Sequence, residues 1–386
     1  MMDAKELMRD PAVAQALAWT DAHVRQVIEE AVRICEIPAP TFEEAERAAY
    51  VERRFVELGL RDVAIDAAGN VRGRRPGTGG SLGVAVGAHL DTVFPRETDV
   101  RVRREGTRLH APGIGDNSVA VASLLAMVEA LNAAGVQTAG DLYLTCNTGE
   151  EGLGDLKGMK AFVADVKDKV VALVAVEGMK INRIIHVGVG SRRYRVTFSA
   201  RGGHSWGHFP SPSAIHIMGR AIADISRLEV PTDPKTTYNV GVVRGGTTVN
   251  TIASEAEMLV DMRSVSPASL ADLERRLLGI IQRTAAEGDG QAKLDLVGDR
   301  PAGSIPPDHP VVGAAKAAHR ALGLQTFHEA SSTDLNAALG AGLPGVCICI
   351  TEGANEHRLD EYIETGPIPT GIKNLLLTTL ALGAPR

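Results

Sequence analysis

Several stretches of the chain are almost wholly apolar, short enough for strands, and followed at once by an acid or a histidine. Leu82-Gly83-Val84-Ala85-Val86-Gly87 leads into Ala88-His89-Leu90-Asp91-Thr92, and Leu142-Tyr143-Leu144-Thr145-Cys146-Asn147 leads into Thr148-Gly149-Glu150-Glu151-Gly152. Residues 170–176 lead into Glu177-Gly178, and residues 346–350 lead into a loop holding Asn355-Glu356-His357. Apolar runs of this length read as buried strands. Ligands of an open α/β sheet bind at the carboxyl ends of its strands, so these side chains converge if the strands are parallel and adjacent.

The donor types then suggest a chemistry. Residues two apart on a strand share a face, so His89 and Asp91 can point into one space, and a carboxylate is the usual partner that fixes a ligand imidazole. Taken alone, His-x-Asp fits a stabilising strand-end pair equally well. Asp116, in Gly113-Ile114-Gly115-Asp116-Asn117-Ser118, stands where a loop breaks into a helical run over residues 119–134; alone it is a plain N-cap. One aspartate, two glutamates and two histidines suffice for two zinc ions that share Asp116. In the Glu150-Glu151 pair one acid can bind metal while its neighbour stays free as a base; alone, the pair is a solvated acidic turn. Two adjacent metals acidify a water and polarise a carbonyl, which suggests hydrolysis of an amide or ester.

A chain of 386 residues is long for one core, and two domains are expected. Hydrophobic residues make up 44% and charged residues 23%, as in a globular protein, and the net charge of -6 gives no reason to expect nucleic acid or an anionic membrane as partner. The N-terminus lacks a secretory apolar region, and no apolar run approaches the roughly 20 residues that cross a bilayer, so the cytoplasm is expected. Cys35, Cys146, Cys347 and Cys349 lie in apolar segments and read as buried small hydrophobes. Helical spacing covers residues 11–35. Thr41-Phe42-Glu43-Glu44 resembles a capping box opening a second helix that ends near Gly59. Residues 101–110 alternate like an edge hairpin. Between residues 186 and 297 the order strand, helix, two strands, helix, strand, with a strand at 184–189 counted, suits a ferredoxin-like insertion. The expected division is 1–187 with 301–386 as a catalytic domain and 188–300 as the insert.

His89-Leu-Asp91-Thr, Gly115-Asp116-Asn117, Thr148-Gly-Glu150-Glu151-Gly, Val176-Glu177-Gly and Asn355-Glu356-His357 resemble, in order, the motifs of the co-catalytic zinc peptidases. That family includes carboxypeptidase G, acetylornithine deacetylase, succinyl-diaminopimelate desuccinylase, aminoacylase and peptidase T. The resemblance implies an α/β catalytic domain with a mixed, mostly parallel sheet between helices, plus an inserted α+β lid and dimerisation domain. It implies that His89 and Glu177 bind one zinc, Glu151 and His357 the other, and Asp116 both. Asp91 would orient His89, and Glu150 would be the general base. Gly202-Gly203-His204-Ser205 resembles the loop whose histidine reaches the partner subunit's site and stabilises the oxyanion. Gly245-Gly246-Thr247-Thr248-Val249-Asn250 and Asp261-Met262-Arg263 resemble the segments whose asparagine and arginine contact substrate, the arginine holding a carboxylate. Trp206-Gly207-His208-Phe209 departs from the small residues common there.

Glutamate at position 177 is, in this family, the choice of deacylases and carboxypeptidases, so an N-acyl amino acid or small peptide is the expected substrate. The alternative is an aminopeptidase of the peptidase T type, which needs an acidic group for the substrate's ammonium; the sequence identifies none. A catalytically silent metal-binding homologue would have lost Glu150 or a ligand, and all are present. Zinc, cobalt and manganese share these ligands. A homodimer is expected through the resemblance.

Overall fold

The computed structural model describes residues 4–383, and the chain forms two compact units, Met1–Gly188 with Ser304–Arg386, and Val189–Gly303. In the first, a mixed sheet runs in the order Arg61–Ile65, Val71–Arg75, Leu142–Asn147, Gly83–His89, Val170–Met179, Gly345–Thr351, Arg183–Gly188, with Phe327–Ser331 beside the last. The four strands from Leu142–Asn147 to Gly345–Thr351 are mutually parallel.

Both faces of these strands are covered, which is why their sequences are apolar rather than alternating. Val84, Val86 and Ala88 pack with the helices Val119–Ala133 and Ile368–Gly383, while Ala85 faces the helix Lys157–Val166 on the other side. By length and composition Ile114–Ala133 could cross a bilayer, contrary to the sequence reading that no run came close. It is a core segment, with Leu124, Leu125, Met127 and Leu131 fully buried. All four cysteines are buried and free.

Local sequence misled in three places. Residues 11–35 form two helices, Pro11–Ala22 and Val24–Cys35, because His23 leaves helical geometry and stacks on Trp19. The capping box is not made: the helix Ala45–Glu57 has no side-chain cap, and Thr41 and Glu44 are drawn to partners near Asp91 and Gly149. The strand Arg183–Gly188 belongs to the large sheet, pairing with Gly345–Thr351, and not to the insert.

The second unit makes the βαββαβ order without that strand. Its antiparallel sheet runs Thr236–Gly245, Glu255–Ser264, Gly190–Ala200, Gly290–Arg300, with helices Ala214–Ile225 and Pro267–Glu287 packed on it through Ile217, Met258, Leu277 and Ile281.

His319, on the helix Pro310–Leu322, is wholly buried, bonded at Nδ1 to Thr326 Oγ1 (3.1 Å) and at Nε2 to the Asn374 amide (3.2 Å). Burial, helped by the charge of His328, pushes its pKa down to about 4. The unfolded chain therefore takes up a proton between pH 6.5 and 4 that the folded chain refuses. Stability should fall with pH across that window, by about 3 kcal/mol. Urea midpoints of wild type and His319→Gln should converge as pH drops from 7 to 4; a constant gap would contradict the neutral histidine.

Candidate metal centre

The parallel strands deliver their carboxyl ends to one edge, and the expected ligands meet there. His89 ends its strand, fully buried, with Nε2 3.1 Å from Asp116 Oδ1 and 3.7 Å from Glu177 Oε2. His357 Nε2 lies 3.1 Å from both Asp116 Oδ2 and Glu151 Oε1. Potential donor atoms of His89, Asp116 and Glu177 fall within 4.8 Å of one another, as do those of Asp116, Glu151 and His357, and of His89, Glu150 and Glu151. The first two sets share Asp116, one oxygen toward each imidazole.

Asp116 is held by the loop Ile114–Ser118 that runs into Val119–Ala133. That loop lies directly on the strand bearing Glu177, because Gly178 has no side chain: a Cβ there would stand 1.8 Å from the Gly115 carbonyl oxygen. His357 rides on a loop between Gly353–Ala354 and Tyr362–Glu364, the latter paired with Arg108–His110 of the expected hairpin. Arg47, buried on Ala45–Glu57, donates to the Leu90 carbonyl (2.7 Å) and fixes the chain just past His89.

The donor chemistry fits two divalent cations. Burial opposes charge on His89, yet Asp116 and Glu177 facing Nε2 outweigh it and hold its pKa well above the ordinary value. Asp116 and Glu151 push His357 up to about 11. Burial and the Asp116 charge raise Glu151. Positive charge is thus demanded between these carboxylates, and Asp116 Oδ1 is buried without a hydrogen bond. Each set offers one imidazole nitrogen and two carboxylates, a donor set suited to zinc with a further position open.

Asp91 works differently from its expected role. The His89 ring is anchored at Nδ1 by the Asp91 carbonyl oxygen (3.0 Å), whereas the carboxylate Oδ1 lies 3.7 Å away. The carboxylate instead accepts the amides of Glu150 and Glu151 (both 2.9 Å) and the Thr41 hydroxyl (3.0 Å). Adjacent amides on one buried carboxylate set the direction in which the Glu-Glu pair leaves the strand. Glu44 accepts the Gly149 amide (3.0 Å).

Sequence reasoning missed Thr41, Glu44, Glu361 and Asp334. Glu361 is fully buried and accepts amides from Gly113 (3.0 Å), Gly115 (2.7 Å) and Asp116 (2.9 Å); burial and the Asp116 charge nonetheless raise its pKa to about 8. Asp334 takes the Asn147 side-chain amide at 2.9 and 2.8 Å, beside the strand end that bears His89. Burial pushes Asp334 up to about 7. Their signal in the sequence was slight: none of the four stands at the end of an apolar run.

His204, Asn250 and Arg263 belong to the second unit. His204 is exposed on Gly203–His204, which pairs with Thr251–Ile252 next to Asn250. Its Nδ1 accepts the amides of Trp206 (3.2 Å) and Gly207 (3.3 Å), which places the ring proton on Nε2 in the neutral form. Arg263 Nε donates to Asp261 Oδ2 (2.8 Å), and Arg193 holds the other oxygen of that carboxylate (2.9 Å).

The chain is 25% identical over 283 residues to a succinyl-diaminopimelate desuccinylase of Nitrosospira multiformis, covering 69% of this chain and 72% of that one. Its fold is similar to aminopeptidase PepT of Bacillus cereus, with a TM-score of 0.77 at 21% identity over 93% of this chain and 98% of that one. It is also similar to YXEP of Bacillus subtilis, described as a dinuclear metal binding peptidase of family M20, with a TM-score of 0.70, 19% identity, and 94% and 98% covered. Residues 85–381 match peptidase family M20/M25/M40, and with three quarters of its length matched and the metal-binding cluster assembled, the chain belongs to that family and is one of its metal-dependent hydrolases.

Proposed function

We propose that the protein hydrolyses an amide bond in a small carboxylate-bearing substrate, with two divalent ions, zinc by donor chemistry, held by His89, Glu177, Glu151, His357 and the shared Asp116. The observation that carries this reading is the pair of donor sets meeting on the two oxygens of one aspartate, with Glu150 beside them. The ions, when bound, would acidify a water and polarise the scissile carbonyl. Glu150 takes the proton of the attacking water and passes it to the leaving nitrogen, and the Asp91 carboxylate, through the two amides, holds it on course. His204, with its proton on Nε2, is a donor to the oxyanion, supplied across a homodimer built on residues 189–303. Arg263 takes the substrate carboxylate in exchange for Asp261, which keeps Arg193 as partner.

An N-acyl amino acid or a peptide cut at its carboxyl end is favoured by Glu177 in the family's deacylase form and by the sequence likeness to a desuccinylase. Metal-loaded protein should cleave blocked substrates from a mixed panel of N-acyl amino acids, dipeptides and tripeptides followed by mass spectrometry, and a chelator should stop it. Cleavage confined to peptides with a free amino terminus would replace this reading with the aminopeptidase one; no cleavage would sink both.

A further inference from the structure

Asp91 and Glu361 spend their carboxylates on main-chain amides of or next to proposed metal ligands. Asp91 does so for Glu150 and Glu151. Glu361 does so for Gly113, Gly115 and Asp116, with one oxygen on Gly113 and the other shared by Gly115 and Asp116. Three converging N–H groups form a small anion-binding concavity, and a fully buried carboxylate fills it.

The connection is one of loops. The main chain of Glu361 accepts the Ala111 amide (3.1 Å) where Arg108–His110 ends, so the Asp116 loop and the His357 loop leave the same small sheet side by side. Its side chain then crosses from the second loop to the first. Each Asp116 oxygen stands 3.1 Å from a different imidazole, and a modest turn of the Asp116 peptide would forfeit one of the two. The ordinary restraint at such a place, a side-chain cap on the following helix, is missing: Ser118 makes no such bond to Val119–Ala133. Glu361 is the acid that fixes the Asp116 amide.

Resting on the two-ion reading above, we infer that Glu361 is a positioning residue: by holding the amides of Gly113, Gly115 and Asp116 it keeps the Asp116 carboxylate set to serve both ions at once. Replacing it with glutamine turns one acceptor into a donor facing amides that also donate. The bridging geometry, more than the presence of donors, should then fail.

The test is metal binding by the full chain, read by cobalt titration and by the magnetic coupling between the two cobalt ions. Wild type should take up two coupled ions. Glu361→Gln should bind the pair about 10–100-fold more weakly, the usual cost of losing a group that orients ligands, and the ions it retains should be less coupled. Glu361→Asp, which keeps the carboxyl group on a shorter arm, should fall between the two. A purely structural residue would lower stability while leaving the coupling of the loaded fraction intact, and that result, or wild-type affinity in Glu361→Gln, overturns the inference. If Glu361→Gln does not fold, Glu361→Asp is judged by the same two readouts. Failure of wild type to bind two ions would sink the two-ion reading itself, and this inference with it, by a loss visible without any variant.

Discussion

Glu150→Gln should bind metal like wild type and lose about 10²–10⁴-fold in kcat, the range that a placed general base contributes. The expected separation of binding from turnover follows from geometry. Asp116 receives both imidazoles, and Glu151 and Glu177 each face one, while Glu150 enters only the set with His89 and Glu151. Glutamine keeps the shape and the main-chain bond to Asp91 Oδ1 but cannot take up a proton. Steady-state kinetics beside metal analysis decide the matter. Undiminished turnover would move the base elsewhere, and lost metal would make Glu150 a ligand.

Asp116→Asn should be more damaging to metal content. One carboxylate oxygen becomes an amide that donates, so one imidazole loses its partner and both donor sets lose shared negative charge. Affinity for the pair should drop by more than the roughly 10–100-fold that follows from disturbing a residue that merely orients a ligand, and activity should drop with it. Dialysis against a metal buffer with elemental analysis measures the stoichiometry. Two tightly held ions in the variant would remove Asp116 from its bridging place.

The proposed ligands other than Asp116 could be read because each sits at or near the end of an apolar run, where chain direction and sheet topology leave few alternatives for where it points. His89, Glu150-Glu151 and Glu177 could be read that way, and His357 from the loop after the last central strand. Glu44 and Glu361 could not be, nor could the partners of the Asp91 carboxylate, for a physical reason: these acids bond to backbone amides, and an amide carries no residue type that a sequence could display. Thr41-x-x-Glu44 shows the same limit. A local capping motif was available, but a buried carboxylate and a buried amide distant in sequence were the stronger claims on those two side chains. The misassigned strand Arg183–Gly188 precedes Gly190–Ala200 by a single residue, and nothing in either stretch says that the chain changes sheets between them.

The order of the donors along the chain has a consequence for biosynthesis. His89, Asp116 and Glu177 all precede Val189–Gly303, whereas the set of Asp116, Glu151 and His357 is completed only after it. A polypeptide made from its amino end gains every side chain of one set while the inserted unit is still unmade, yet the strand Gly345–Thr351 that flanks the Glu177 strand comes only after that unit. A chain halted at residue 303 carries a mononuclear donor set and lacks both His357 and Glu361. Neither proposed donor set is therefore framed until the residues that follow the inserted unit are made, and the insert lengthens the interval before the site can close.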